Sequence, residues 1–143
     1  MHCFHRLMHT SLMYGPFHKQ HHSYTNVVSV AAEYFHPVDY FFISLLPASI
    51  GPNLLGKHLH ITTYLAWIIW QTLESADSHA GYEFPFSPFR LLPFSGSASY
   101  HDYHHTHNTG NYSSYFTVWD TILGSNKEYF EHQANIGQQL KDK

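Results

Sequence analysis

The chain has 143 residues, enough for one domain with a core of its own and too few for two comfortable ones. Its 15 histidines outnumber its 7 lysines and arginines, and a formal net charge of −3 leaves no basic patch to argue for a nucleic-acid partner. Charged residues make up only 12% of the chain and aromatics 17%, where about a quarter charged is usual for a soluble domain, so the composition hints at membrane or lipid contact and the single Cys3 rules out an internal disulfide framework.

In chain order, the opening "MHCFHRLMHT" lacks the basic segment, long apolar segment and small-residue cleavage site of a signal peptide. It places His5 and His9 four residues apart. On a helix each residue advances by about 100°, so this spacing puts both rings on one face. "HKQHH" follows, and the same geometry predicts that His18, His21 and His22 point one way. Two apolar stretches come next: Tyr40 to Gly56 without a charge, then "HLHITTYLAWIIWQTL" from His58. Each falls slightly short of the about 20 residues a spanning helix asks for. Flanking residues can extend both, and Pro47, Gly51 and Pro52 are expected to bend the first. They read as a helical hairpin over about 38–78, spanning or re-entrant, with its tip between Gly51 and His60. A pair of buried helices in a soluble domain is the alternative, and the mean hydropathy of −0.30 keeps it open.

Beyond the hairpin, His79 and Glu83 in "HAGYE" repeat the four-residue spacing, with Gly81 arguing against a regular helix between them. "HDYHH" then sets His101, His104 and His105 on one face. The last stretch, 128–143, has little apolar periodicity and reads as a polar, frayed tail behind a domain covering 1–127. His2, His58, His60, His107 and His132 stand alone and read as surface or interfacial residues.

A His-X-X-His-His string is expected by chance roughly 0.16 times in a chain of this length and histidine content, so composition does not account for two. Neutral imidazole suits Fe, Zn, Cu and Ni. Eight clustered histidines plus His79 exceed the four ligands of one tetrahedral site, which favours two metals in one pocket. Buried without metal, every ring nitrogen would need a hydrogen-bond partner. Asp102, Glu33, Asp77 and Glu83 are the nearby acids that could orient the rings. A hairpin that enters and leaves on one side of the membrane lets the early and late clusters meet.

The order "HRLMH", "HKQHH", hydrophobic hairpin, "HDYHH" resembles the membrane-bound fatty acid hydroxylase and sterol desaturase superfamily. "AAEYFHP", "ESADSHAGYEFP" and "GNYSSYFTVWDTILGS" are most similar to its sterol C4-methyl oxidases. The likeness runs from about residue 2 to 127. It implies an all-α integral membrane helical domain with a histidine-rich cytosolic cap, N-terminally truncated relative to the family. It further implies an O2-dependent non-haem diiron monooxygenase of the endoplasmic reticulum that oxidises the C4 methyl group of sterols. The implied cofactors are two iron ions, with electrons from NAD(P)H relayed by cytochrome b5. By motif, His5, His9, His18, His21, His22, His101, His104 and His105 would be metal ligands, with His79 a further one. Glu83 stands where many relatives have a second histidine and remains a possible ligand. Tyr34, Phe35, Trp67, Trp70, Phe84 and Phe86 could line the lipid's approach, core packing or an interfacial belt being the plainer role for each. Another lipid hydroxylase or desaturase, an inactive metal-binding remnant and a soluble histidine-rich metal buffer are the alternatives.

Overall fold

The structure is a computed structural model, and it describes residues 1–142. Helices dominate: α1 (His2–Met8), α2 (Pro37–His58), α3 (Ile61–Ser78), α4 (Ala98–His107), α5 (Val118–Leu123) and α6 (Lys127–Lys141). Among the described residues the one strand-like pairing is an isolated antiparallel bridge between Ser95 and Phe116.

Local chemistry explains where the helices begin and end. His36 caps α2, its ring accepting from the Val38 amide, and Pro37 at the first position has no amide hydrogen that would go unsatisfied. The run takes one wide π turn at Phe41–Leu45 and reverses at Gly56, whose φ of +50° a side chain would resist. His60 then caps α3 by accepting from the Thr62 amide. The chain therefore turns between residues 56 and 60. Ser97 caps α4, and Asn108 ends it in the left-handed conformation.

Both apolar stretches are helical, but they are not equivalent. The 22-residue α2, at a mean hydropathy of 1.2, is the one helix among the described residues that is long and apolar enough to cross a membrane. The 18-residue α3 carries Glu74 and Asp77 toward its end, the part that leads into His79. The indole of Trp67 on α3 donates to the Ala48 carbonyl on α2 across 3.2 Å, tying the two arms together.

Two segments differ from expectation. "HKQHH" is not a regular helix: a π turn over Tyr14–His18 leads into a 3₁₀ turn over His21–Ser23. The polar tail is a 15-residue helix, α6, anchored where Tyr129 packs edge-on against Tyr100 at 5.0 Å between ring centroids. Tyr129 is its buried residue, and Phe130, Ile136 and Leu140 are exposed.

Burial is inverted relative to a water-soluble domain. The largest fully buried side chains are Met8, five histidines, Asn111, Asp39 and Asp120, whereas Leu54 is 84% exposed, Leu65 53% and Ile69 59%. An aqueous fold normally places such residues the other way round.

Candidate metal centre

Five ring nitrogens, from His5, His9, His18, His22 and His104, lie within 4.8 Å of one another, and four more, from His21, His79, His101 and His105, do the same beside them. The two sets touch: the His22 and His105 rings stack at 4.5 Å. Segments 83 residues apart in sequence thus converge on one pocket. Helix α1 supplies His5 and its C-cap His9. In α4, His101 and His105 are one turn apart and enter the four-histidine set, while His104 enters the other. On the irregular backbone of 14–23, "HKQHH" is divided the same way: His18 and His22 join the first set and His21 the second, so in each string the outer pair and the middle histidine serve different sets, where three rings in one set were expected. His79 is the C-cap of α3.

The donor chemistry of these sets suits a cation. His5 Nδ1 donates to the Tyr112 carbonyl at 2.7 Å, His104 Nδ1 to the Gly110 carbonyl at 2.7 Å, and His18 Nδ1 to the Asp39 carboxylate at 2.8 Å. In a neutral imidazole the other nitrogen then carries a lone pair. Yet His5 Nε2 lies 3.1 Å from His104 Nε2 and 3.2 Å from His18 Nε2. Lone pairs facing each other at that range repel unless a positive charge lies among them. Adjacent ligands on a metal with bonds of about 2.1 Å to imidazole stand about 3 Å apart, which matches these edges. In the four-histidine set the corresponding edges run 3.0 Å for His101 to His79, 3.2 Å for His105 to His101 and 3.5 Å for His79 to His21.

The model of the "Fatty acid hydroxylase" family matches residues 1–125. This chain belongs to the fatty acid hydroxylase family. It is 41% identical over 125 residues to a methylsterol monooxygenase of Aspergillus fumigatus, covering 85% of this chain and 41% of that protein. It is 45% identical over 122 residues to a C-4 methylsterol oxidase of Candida albicans, covering 84% of this chain and 40% of that protein. It is also 38% identical over 133 residues to a very-long-chain aldehyde decarbonylase of Oryza sativa, covering 91% of this chain and 48% of that protein. The chain thus spans about half the length of the curated relatives it matches. No solved structure matches it.

For this fatty acid hydroxylase domain, burial governs the charge state of the histidines. Loss of water, reinforced by neighbouring imidazoles, holds His5, His21, His101 and His104 well below their ordinary range and lowers His22. Burial likewise lowers His9 and His105 to about 3 and His79 to about 4. These rings are neutral at pH 7, the state in which imidazole binds metal.

The acids expected to orient the rings do not do so. Asp77 and Glu83 both pair with Arg90, Glu83 also accepts from the Ser99 amide, and Glu83 stands outside both histidine sets. The orienting acceptors are Asp39 and the carbonyls of Gly110, Tyr112 and Ser75, the last accepting from His79 Nδ1 at 2.8 Å. Backbone carbonyls carry no sequence signature. Asp39 does leave one, a lone acid at the head of an apolar run, but 17 residues beyond the nearest histidine string. His21 is held differently: its ring stacks flat on Phe35 at 4.1 Å. His2, expected at the surface, is buried, but it faces Asp120 at 3.2 Å and belongs to neither set.

A cavity of about 770 Å³ runs from these rings to the space between α2 and α3. His5, His21, His79 and His101 line it, together with Ala48, Trp67 and Ile68 of the helical arms. Of the six aromatics that could line the lipid's approach, Phe35, Trp67 and Trp70 border this cavity, whereas Tyr34 lines a separate shallow pocket, Phe84 is exposed and Phe86 is 94% exposed.

Proposed function

We propose that this chain is the metal-binding and catalytic part of a membrane-bound, O2-dependent diiron oxygenase that oxidises the C4 methyl group of a sterol. The observation that carries the reading is the meeting of two imidazole sets with one wall of a largely apolar cavity. Its volume lies within the range of about 300–1,000 Å³ typical of small-molecule pockets.

On this reading the ligands are His5, His9, His18, His22 and His104 for one iron and His21, His79, His101 and His105 for the other. Bound there, iron would supply the O2 reduction and C–H oxidation that zinc, fixed in valence, does not. The chain's own residues do the rest. Asp39 and the three carbonyls fix the tautomers so that lone pairs face inward. Trp67, Ile68 and Ala48 present hydrocarbon to a rigid, flat substrate arriving from between the helical arms. The apolar walls keep water from the rings, which stay neutral.

The exposed apolar surfaces of α2 and α3 support a membrane location, with both arms of the hairpin in the lipid and the histidine cap on one side of it. The endoplasmic reticulum, a cytosolic orientation of the cap, and electrons passed from NAD(P)H by cytochrome b5 complete the proposal. Relatives named methylsterol monooxygenases favour the sterol; a relative named a very-long-chain aldehyde decarbonylase favours a long-chain lipid in the same cavity.

The test is complementation of cells lacking sterol C4 demethylation, with metal analysis of the purified protein. The wild type is expected to rescue growth and carry two irons, and His104→Ala to do neither. Equal rescue by both, or a wild type without iron, overturns the proposal. A wild type that holds two irons, fails to rescue and converts a long-chain aldehyde moves the assignment to the second substrate class.

A further inference from the structure

Asp120, in the first turn of α5, is fully buried yet lies outside both histidine sets. Its carboxylate gathers an unusual number of donors. Oδ1 accepts from the Tyr112 amide at 3.0 Å, the Ser125 hydroxyl at 2.6 Å and His2 Nε2 at 3.2 Å. Oδ2 accepts from the Ser113 amide at 2.8 Å and the Tyr100 hydroxyl at 3.0 Å. Two of these five donors belong to the backbone of the loop whose carbonyls orient His5 and His104.

That loop is held in a conformation it would not keep unaided. Gly110 has φ +68° and Asn111, a fully buried residue with a side chain, has φ +49°. The Asn111 amide donates to the Ser125 carbonyl at 3.0 Å, and its side-chain amide donates to the Tyr100 carbonyl at 2.9 Å. A Cβ on Gly110 would stand 2.5 Å from the same Ser125 carbonyl. The loop is therefore clamped from two sides, by the carboxylate of Asp120 and by the backbone just after α5.

We infer that Asp120 is a positioning residue of the metal centre: it holds the 110–113 loop so that the Gly110 and Tyr112 carbonyls fix the tautomers of His104 and His5. It touches neither ring. The inference rests on the proposed metal reading, and it assigns the five-histidine set a support that the four-histidine set lacks. Asp→Asn at this position keeps the volume but turns an NH2 group toward N–H and O–H donors, which pushes the loop away.

The experiment measures metal content and chelator-driven release for the wild type, Asp120→Asn and Gly110→Ala, with X-ray absorption to count imidazole ligands. Changing an orienting partner of a metal ligand typically costs about 10–100-fold in affinity. The wild type is expected to bind two metals. Each variant is expected to release one of them at least about tenfold faster, leaving a metal with the spectrum of the four-histidine set. Wild-type release from both variants overturns the inference, as does equal loss of both metals, which marks a general structural role. If Asp120→Asn does not fold, Gly110→Ala decides. A wild type that binds no metal overturns the metal reading itself, a result distinct from either.

Discussion

At the scale of single residues, the decisive feature is that four of the imidazoles, those of His5, His18, His79 and His104, are fixed by their far nitrogens. Asp39 is the one carboxylate among the orienting acceptors, so it contributes charge as well as direction. Asp39→Asn should leave the fold in place and weaken metal retention by about tenfold or more, read as faster loss to a chelator. The depressed histidines also set a pH dependence for the metal-free protein. Below their ordinary value of 6.5 the unfolded chain takes up protons that His79 refuses until about pH 4 and His9 and His105 until about 3. Stability is thus present above pH 6.5 and lost as pH falls, by about 1.4 kcal/mol per unit for each such ring. Chelator-treated protein should show a lower denaturation midpoint at pH 5.5 than at 7.5; an unchanged midpoint contradicts the burial described. That these histidines cluster was legible for six of the nine because the string repeats, and for His5, His9 and His79 because of the four-residue spacing of His5 with His9 and His79 with Glu83. Their orienting partners were not, since three are backbone carbonyls and the choice of carbonyl depends on how distant segments pack.

At the scale of elements, helix ends deliver the chemistry. His79 reaches its set because α3 stops at Ser78 and the chain turns at Gly81, whose φ is +65° and whose Cβ would stand 2.6 Å from the Val27 carbonyl. Gly81→Ala should lower stability by about 2 kcal/mol or more and reduce metal content at the four-histidine set, checked by thermal melting and metal analysis in detergent. Ser97→Ala, which removes the cap of α4, should cost about 1 kcal/mol and leave metal content unchanged. The helical arms and α4 were readable from apolar runs and spacing. The division of each His-X-X-His-His string between two sets was not, because rings three and four residues apart share one helix face and which set each enters depends on how distant segments pack. Helix α6 buries only Tyr129, which leaves little in the sequence to distinguish it from a solvated tail.

At the scale of the whole molecule, exposed hydrocarbon surrounds a polar interior, and the cavity joins the two. Trp67 borders that cavity and bridges the arms through its bond to Ala48. On the proposed reading, Trp67→Ala should raise KM for the lipid several-fold with a smaller change in kcat, measured as initial rates in reconstituted membranes; an unchanged KM removes this residue from the proposed substrate path. The composition indicated the apolar exterior, and the two histidine strings indicated the interior, but the cavity exists only between elements and leaves no local pattern of residues. The inverted burial also bears on how the protein comes into being. A centre built of imidazole gains little from leaving water, so, on the proposed reading, its assembly waits on a cation rather than on hydrophobic collapse. Cells starved of iron should then hold less of this protein because newly made chains, lacking their nucleus, are cleared before they mature.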